Sequence, residues 1–131
     1  MSAVLLEVED LAIHFGAEAH AVHAVDGLSF SVAAGETVVL VGESGSGKSM
    51  AALAITRLLP ATARIVSGAV RLDGEDLFKL PEYRMRDVRG AAVGMIFQEP
   101  QSSLNPVMRI GAQIGEALVR HQGLRGAALR A

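Results

Sequence analysis

From Val4 to Phe15 the chain reads VLLEVEDLAIHF, apolar and polar residues alternating loosely at period two, and alternation resumes at Val25, Leu28, Phe30 and Val32. This is the spacing of strands with one buried face. It predicts two early strands, then another that ends in the turn Ala34-Gly35-Glu36. Thr37 to Val41, TVVLV, abandons alternation for an unbroken apolar run, which predicts a strand buried on both faces of a parallel sheet. Met50 to Leu59, MAALAITRLL, has the alanine and leucine content of a helix, with Pro60 as its stop. Ile65 to Leu72 followed by Asp73-Gly74 predicts strands bounded by a turn, and Pro81 to Arg89 a short charged helix with proline in its first turn. Ala91 to Phe97, AAVGMIF, predicts a second buried strand. A polar loop, QEPQSSLNP, leads into an amphipathic helix from about Ile110 to His121. There is no internal repeat, and Gly123 to Ala131, GLRGAALRA, reads as a helix interrupted.

Between the TVVLV run and the alanine-rich helix stands Val41-Gly42-Glu43-Ser44-Gly45-Ser46-Gly47-Lys48-Ser49. Gly42-x-x-x-x-Gly47-Lys48-Ser49 satisfies the phosphate-loop template, and each fixed position has a mechanical reason. Glycines permit backbone conformations that side chains forbid, so successive N–H groups of Ser44, Gly45, Ser46 and Gly47 can turn into one anion-holding concavity. The concavity sits at a helix N-terminus, where the free N–H groups of Lys48, Ser49 and Met50 and the helix dipole add attraction for phosphate. Lys48 would reach the β- and γ-phosphates, and the Ser49 hydroxyl would ligate a bridging magnesium. By composition alone the four fixed positions arise in roughly one chain of this length in a hundred or fewer. A flexible Gly/Ser linker is a poor alternative, because linkers do not join a β-branched strand to an alanine-rich helix.

Composition narrows the partners. The 131 residues allow at most one domain and are 50% hydrophobic and 20% charged, which is globular composition. A net charge of −2 and no Lys/Arg-rich run give no attraction to nucleic acid. The absence of cysteine fits a reducing, cytoplasmic compartment. The N-terminus carries acidic residues and no basic start, unlike a secretory signal, and no apolar run approaches the ~18 residues of a spanning helix. Membrane association is therefore expected only through partner subunits.

Read outward from the phosphate loop, the chain resembles the ATP-binding subunits of ABC transporters, in particular the oligopeptide, dipeptide and nickel importer group. The resemblance runs from about Leu5 to Leu118 and is carried by LLEVEDLAIHFG, AVDGLSFSVAAGETVVLVGESGSGKS, SGAVRLDGEDL and GAAVGMIFQEPQSSLNPVMRIGAQIGEAL. It implies an α/β P-loop NTPase fold: an ABC ATPase core with an N-terminal antiparallel β subdomain, here truncated at the start of the helical subdomain, about residues 103–131. It implies ATP and magnesium as ligands, with an aromatic residue upstream of the loop stacking on adenine. Phe15 matches that place, and Ala24 and Val25 would line the other edge of the base. Gln98, in FQEP, matches the glutamine loop, where it would sense magnesium and the attacking water; Glu99 replaces the more usual Asp. The implied partners are transmembrane permease subunits, a second ATP-binding subunit and, indirectly, a solute-binding protein, on the cytoplasmic face of the membrane. SSLNPV is what favours the peptide and nickel importers.

The LSGGQ-type signature, an apolar strand ending in Asp-Glu and a switch histidine, with which the family hydrolyses ATP, do not occur in these residues. Without the second acidic anchor for magnesium and the general base, turnover by this chain alone is not expected, and an exposed edge and an uncovered apolar face are. An inert nucleotide-binding remnant is the alternative; another cytosolic P-loop NTPase is disfavoured because no guanine-reading Asn-Lys-x-Asp string occurs. His14, His20, His23 and His121 lack metal-site spacing and are expected at the surface. Asp73, Glu75 and Asp76 are expected to form a turn and helix start, and Met85, Met95 and Met108 to pack.

Overall fold

The computed structural model describes residues 3–17 and 20–129. These fall into two compact units, divided between Pro81 and Glu82. Length alone suggested one domain.

The first unit is an antiparallel sheet with one helix. Strand β1 (Val4–Phe15) is central, β2 (Val22–Ala33) pairs with it on one side and β3 (Ala63–Leu72) on the other, and the two-residue β4 (Glu75–Asp76) closes the order β2-β1-β3-β4. Helix α1 (Lys48–Ile55) lies between β2 and β3 in sequence. Val8, Leu11 and Ile13 of β1, Val25 of β2, Val70 of β3, Ala51 and Ala54 of α1, and Leu77 form the core. Leu11, Ala12 and Ile13 are buried in succession, so the core departs from simple alternation around the middle of β1, and burial of these apolar groups holds the sheet together.

The two strands expected between Val4 and Phe15 are one strand with a break in register. At Asp10 the backbone turns to φ 43° and the pairing with both neighbours slips. The bulge is pinned from both sides. The Asp10 N–H donates to Ser29 Oγ of β2 at 2.9 Å, and Ser67 of β3 donates its hydroxyl to the Asp10 carbonyl at 3.4 Å. Gly68 faces it at φ +100°, where an added Cβ would lie 2.6 to 2.7 Å from the Glu9 and Asp10 carbonyl oxygens and the Leu11 Cα. Arg71 of β3 reaches across β1 to Glu9 at 2.7 Å and Glu7 at 3.2 Å.

Asp73 (φ 49°) and Gly74 (φ 80°) make the tight turn from β3 to β4, as the Asp-Gly pair predicted. Asp76 accepts the Phe78 N–H at 3.0 Å and pairs with Lys79. Burial alone would raise its carboxyl, and the hydrogen bonds from Lys79 and Phe78 outweigh that, holding it below the usual carboxylate range. Helix α1 stops at Ile55, short of Pro60, because Arg57 turns left-handed at φ 54° and donates to the Leu77 and Leu80 carbonyls.

In the second unit α2 (Glu82–Asp87) runs through a kinked turn, Val88–Ala92, and α3 (Ile110–Gln122) ends at left-handed Gly123. Met85 is fully buried, Arg120 pairs with Asp87 at 3.2 Å, and the His121 ring packs on Gly90 where a Cβ would be 2.5 Å from Nε2. The Gln113 amide clamps the preceding loop, bonding the Asn105 N–H and the Asn105 and Met108 carbonyls at 2.9 to 3.1 Å.

Two expected strands are absent from the sheet. Thr37 to Val41 joins no ladder, and Val39 and Val41 are 73% and 91% exposed. Ala91 to Phe97 has only the isolated bridge of Val93 to Arg89, and Ile96 is 93% exposed. A strand buried on both faces needs parallel neighbours, and among the described residues neither segment has one. Each segment, within its own unit, leaves apolar side chains exposed.

Gly68→Ala is expected to destabilise the first unit by about 2 kcal/mol or more, seen as a lower urea midpoint by circular dichroism. Gly27→Ala, at φ +68° with nothing within 4 Å of the added Cβ, is expected to cost about 1 kcal/mol, from backbone strain alone. Equal midpoints for the two variants would refute the packing role of Gly68.

Candidate functional site

Gly42 to Gly47 leaves the exposed Thr37–Val41 segment and enters α1, whose first residue is Lys48. The two outer glycines are crowded to different degrees. A Cβ on Gly42 would stand 2.5 Å from Ser46 Oγ. Gly47 caps α1 in the left-handed region, φ 90° and ψ 1°, and a Cβ there would collide with the Ala24 carbonyl oxygen and meet Val25 Cγ2 at 2.9 Å. The loop backbone therefore lies directly against β2, closer than any side chain allows. Gly45 (φ +81°) turns the loop in open space.

Lys48 folds back over the loop, donating to the Gly42 and Glu43 carbonyls at 2.7 Å each and to Ser46 Oγ at 3.1 Å. All three acceptors are neutral, and no carboxylate pairs with it among the described residues. The ammonium thus ties the loop into a ring while its charge is left for an anion to meet.

Two clefts flank this ring. One, of about 380 Å³, is lined by Phe15, Val22, His23 and Ala24 on the sheet and by Gly45 to Met50 on the loop and helix. The other, about 600 Å³, is lined by His23 to Ser29 of β2, Leu40, Val41, Ser46, Gly47 and Lys48. The smaller cleft has the size of a small-molecule site. It places Phe15 at the end of β1 and the loop residues Gly45, Ser46, Gly47, Lys48, Ser49 and Met50 on one wall system. Ala24 and Val25 approach the loop from β2. Gly42 lies under Lys48, and Ser44 stands in the turn before Gly45. Gln98 belongs to the second unit, in an exposed bend after the unpaired residues 94–97. It does not end a buried strand.

Composition and spacing missed two lining residues, Val22 and His23. The rings of His14 and His23 stack at 3.9 Å with 9° between planes. Their pairing across β1 and β2 was legible only from the register, which shifts between Ile13 and His14.

A helix start preceded by a glycine that a Cβ would push off β2, and a lysine whose described partners are all neutral, fit the phosphates of a nucleotide. The fold and loop together define a P-loop nucleotide-binding protein. The chain belongs to the ABC transporter family, which it matches over residues 25–127. It is 47% identical over 125 residues to a Brucella abortus protein named for peptide import and ATP binding, covering 95% of this chain and 38% of that one. With the dipeptide transport ATP-binding protein of Escherichia coli it shares 47% over 119 residues, 91% of this chain and 36% of the relative. The chain thus spans well under half the length of these relatives. Its fold is also that of a bacterial ABC transporter cassette, at a TM-score of 0.77 and 23% identity over 94% of this chain and 50% of the other.

Gly47→Ala is expected to push the loop off β2 and weaken nucleotide binding by about tenfold or more, measured by calorimetric titration with MgATP. Wild-type affinity in that variant would show that the close approach to Ala24 is dispensable.

Proposed function

We propose that this chain is the N-terminal part of the ATP-binding subunit of an importer of peptides or a similar solute. It holds ATP with the phosphates in the Gly42–Ser49 loop, under Lys48, and the base against Phe15. The observation that carries the reading is that Phe15, Lys48 and Ser49 line one cleft. The import role rests on the relatives' names, one for peptide import and one for dipeptide transport. Magnesium, when bound with the nucleotide, supplies charge neutralisation between the phosphates. Ser49 is its protein contact at the helix start, and Gln98 keeps the sensing role that the resemblance implies.

The partners of this reading are permease subunits, a second ATP-binding subunit and, through the permease, a solute-binding protein. Attachment to the cytoplasmic face through those subunits belongs to the same reading; among the described residues no helix is long and apolar enough to cross a membrane. A dimeric structure of the cassette with the same fold supports the second subunit. Hydrolysis requires the acidic strand, the signature and the switch histidine, none of which stands in these 131 residues.

The chain is expected to bind MgATP without turning it over. Lys48→Ala should weaken binding by at least about tenfold, because a charge-assisted phosphate contact is lost, while phosphate release stays at background for both proteins. Magnesium-dependent turnover that disappears in Lys48→Ala would overturn the second half, and equal ATP affinity in the two proteins the first.

A further inference from the structure

We propose that His23 is a nucleotide-contact residue, positioned by the ring of His14, that takes the sugar and α-phosphate between the base and the loop. The inference rests on the nucleotide reading above and adds a residue to it. His23 lines both clefts beside Lys48, so it stands on the ridge between them. The smaller cleft is lined by Phe15 and the loop residues, with Val22, His23 and Ala24 of β2 as a further wall. Of those three only His23 has a polar side chain. A nucleotide with its base on Phe15 and its terminal phosphates in the loop presents to this wall its hydroxyls and α-phosphate, the groups an imidazole N–H can meet as donor.

A histidine near the end of a strand would ordinarily sample several rotamers, and ordering it on binding would cost conformational entropy. Here the ring lies flat on His14, centroids 3.9 Å apart, so part of that cost is already met in the free protein. His14 is itself held in the central strand, opposite His23 on β2 and Arg64 on β3. The three basic side chains form a cross-strand row, and His23 is its end nearest the loop.

The test compares affinities for MgATP and for inorganic triphosphate, which carries the charge and lacks the nucleoside, by calorimetric titration. His23→Ala is expected to bind ATP about fivefold more weakly, the loss of one hydrogen bond, and triphosphate as the wild type does. His23→Phe, which keeps a ring against His14 without the donor, should match His23→Ala. His14→Ala, which keeps the donor and removes its support, should lose about twofold to threefold toward ATP alone. Wild-type ATP affinity in His23→Ala overturns the contact. An equal loss toward ATP and triphosphate overturns it too, by making the residue merely structural, and an unaltered His14→Ala overturns the positioning. Loss of binding in Lys48→Ala with His23→Ala unaffected leaves the nucleotide reading standing and removes this inference alone.

Discussion

Everything that lines the nucleotide cleft depends on one close approach, that of the Gly47 backbone to the carbonyl of Ala24. With any side chain at position 47 the loop would stand off from β2, and Phe15 and His23 would no longer share a cleft with Lys48 and Ser49. The contact also sets the start of α1. Gly47 in the left-handed region ends the loop, and the next residue is the first of the helix. Ala51 and Ala54, both fully buried, then follow at helical spacing. A small face was needed there, because a larger one would lever the helix away from the sheet and carry the loop with it.

The sheet has a matching constraint farther along β1. Beyond the Asp10 bulge the register with β2 shifts again between Ile13 and His14, so that the outer end of β1 meets β2 as His14 on His23 and Phe15 on Val22. Without the slip, the residues at that end would exchange faces. The bulge is stable only because Gly68 on β3 leaves room for it and because Ser29 and Ser67 satisfy its polar groups. Two glycines, 47 and 68, thus each permit a close backbone approach. One brings the loop to the sheet, and the other makes room for the bulge in the middle of β1.

Much of this was legible in the residues. The phosphate loop, the strand before it in β2, the Asp73-Gly74 turn and α3 follow from local rules that act within a few residues, and the structure forms them where those rules put them. What was not legible depended on partners distant in sequence. TVVLV and AAVGMIF have the apolar density of central parallel strands, and pattern alone reports how many faces a segment must bury, not whether a neighbour is there to bury them. The register shifts along β1 likewise leave no periodic signature, so one bent strand read as two. The histidines were expected at the surface because no metal spacing joined them. His14 and His23 are nine residues apart along the chain, and only antiparallel pairing through a shifted register makes them neighbours.

The electrostatics of the loop separate holding a phosphate from breaking one. Lys48 is bound by two carbonyls and a hydroxyl, so the loop's shape is set before any ligand arrives. Those acceptors are dipoles, and dipoles leave a cation's charge in place, so the site keeps a standing attraction for an anion that a lysine–carboxylate pair would have spent. The N–H groups at the start of α1 act with the same sign. Bond cleavage asks for the opposite kind of group, a carboxylate placed to accept a proton from water. A carboxylate close enough to do so would pair with Lys48 unless a nucleotide and its metal came between them. The ring that Lys48 closes with Gly42, Glu43 and Ser46 contains no such group.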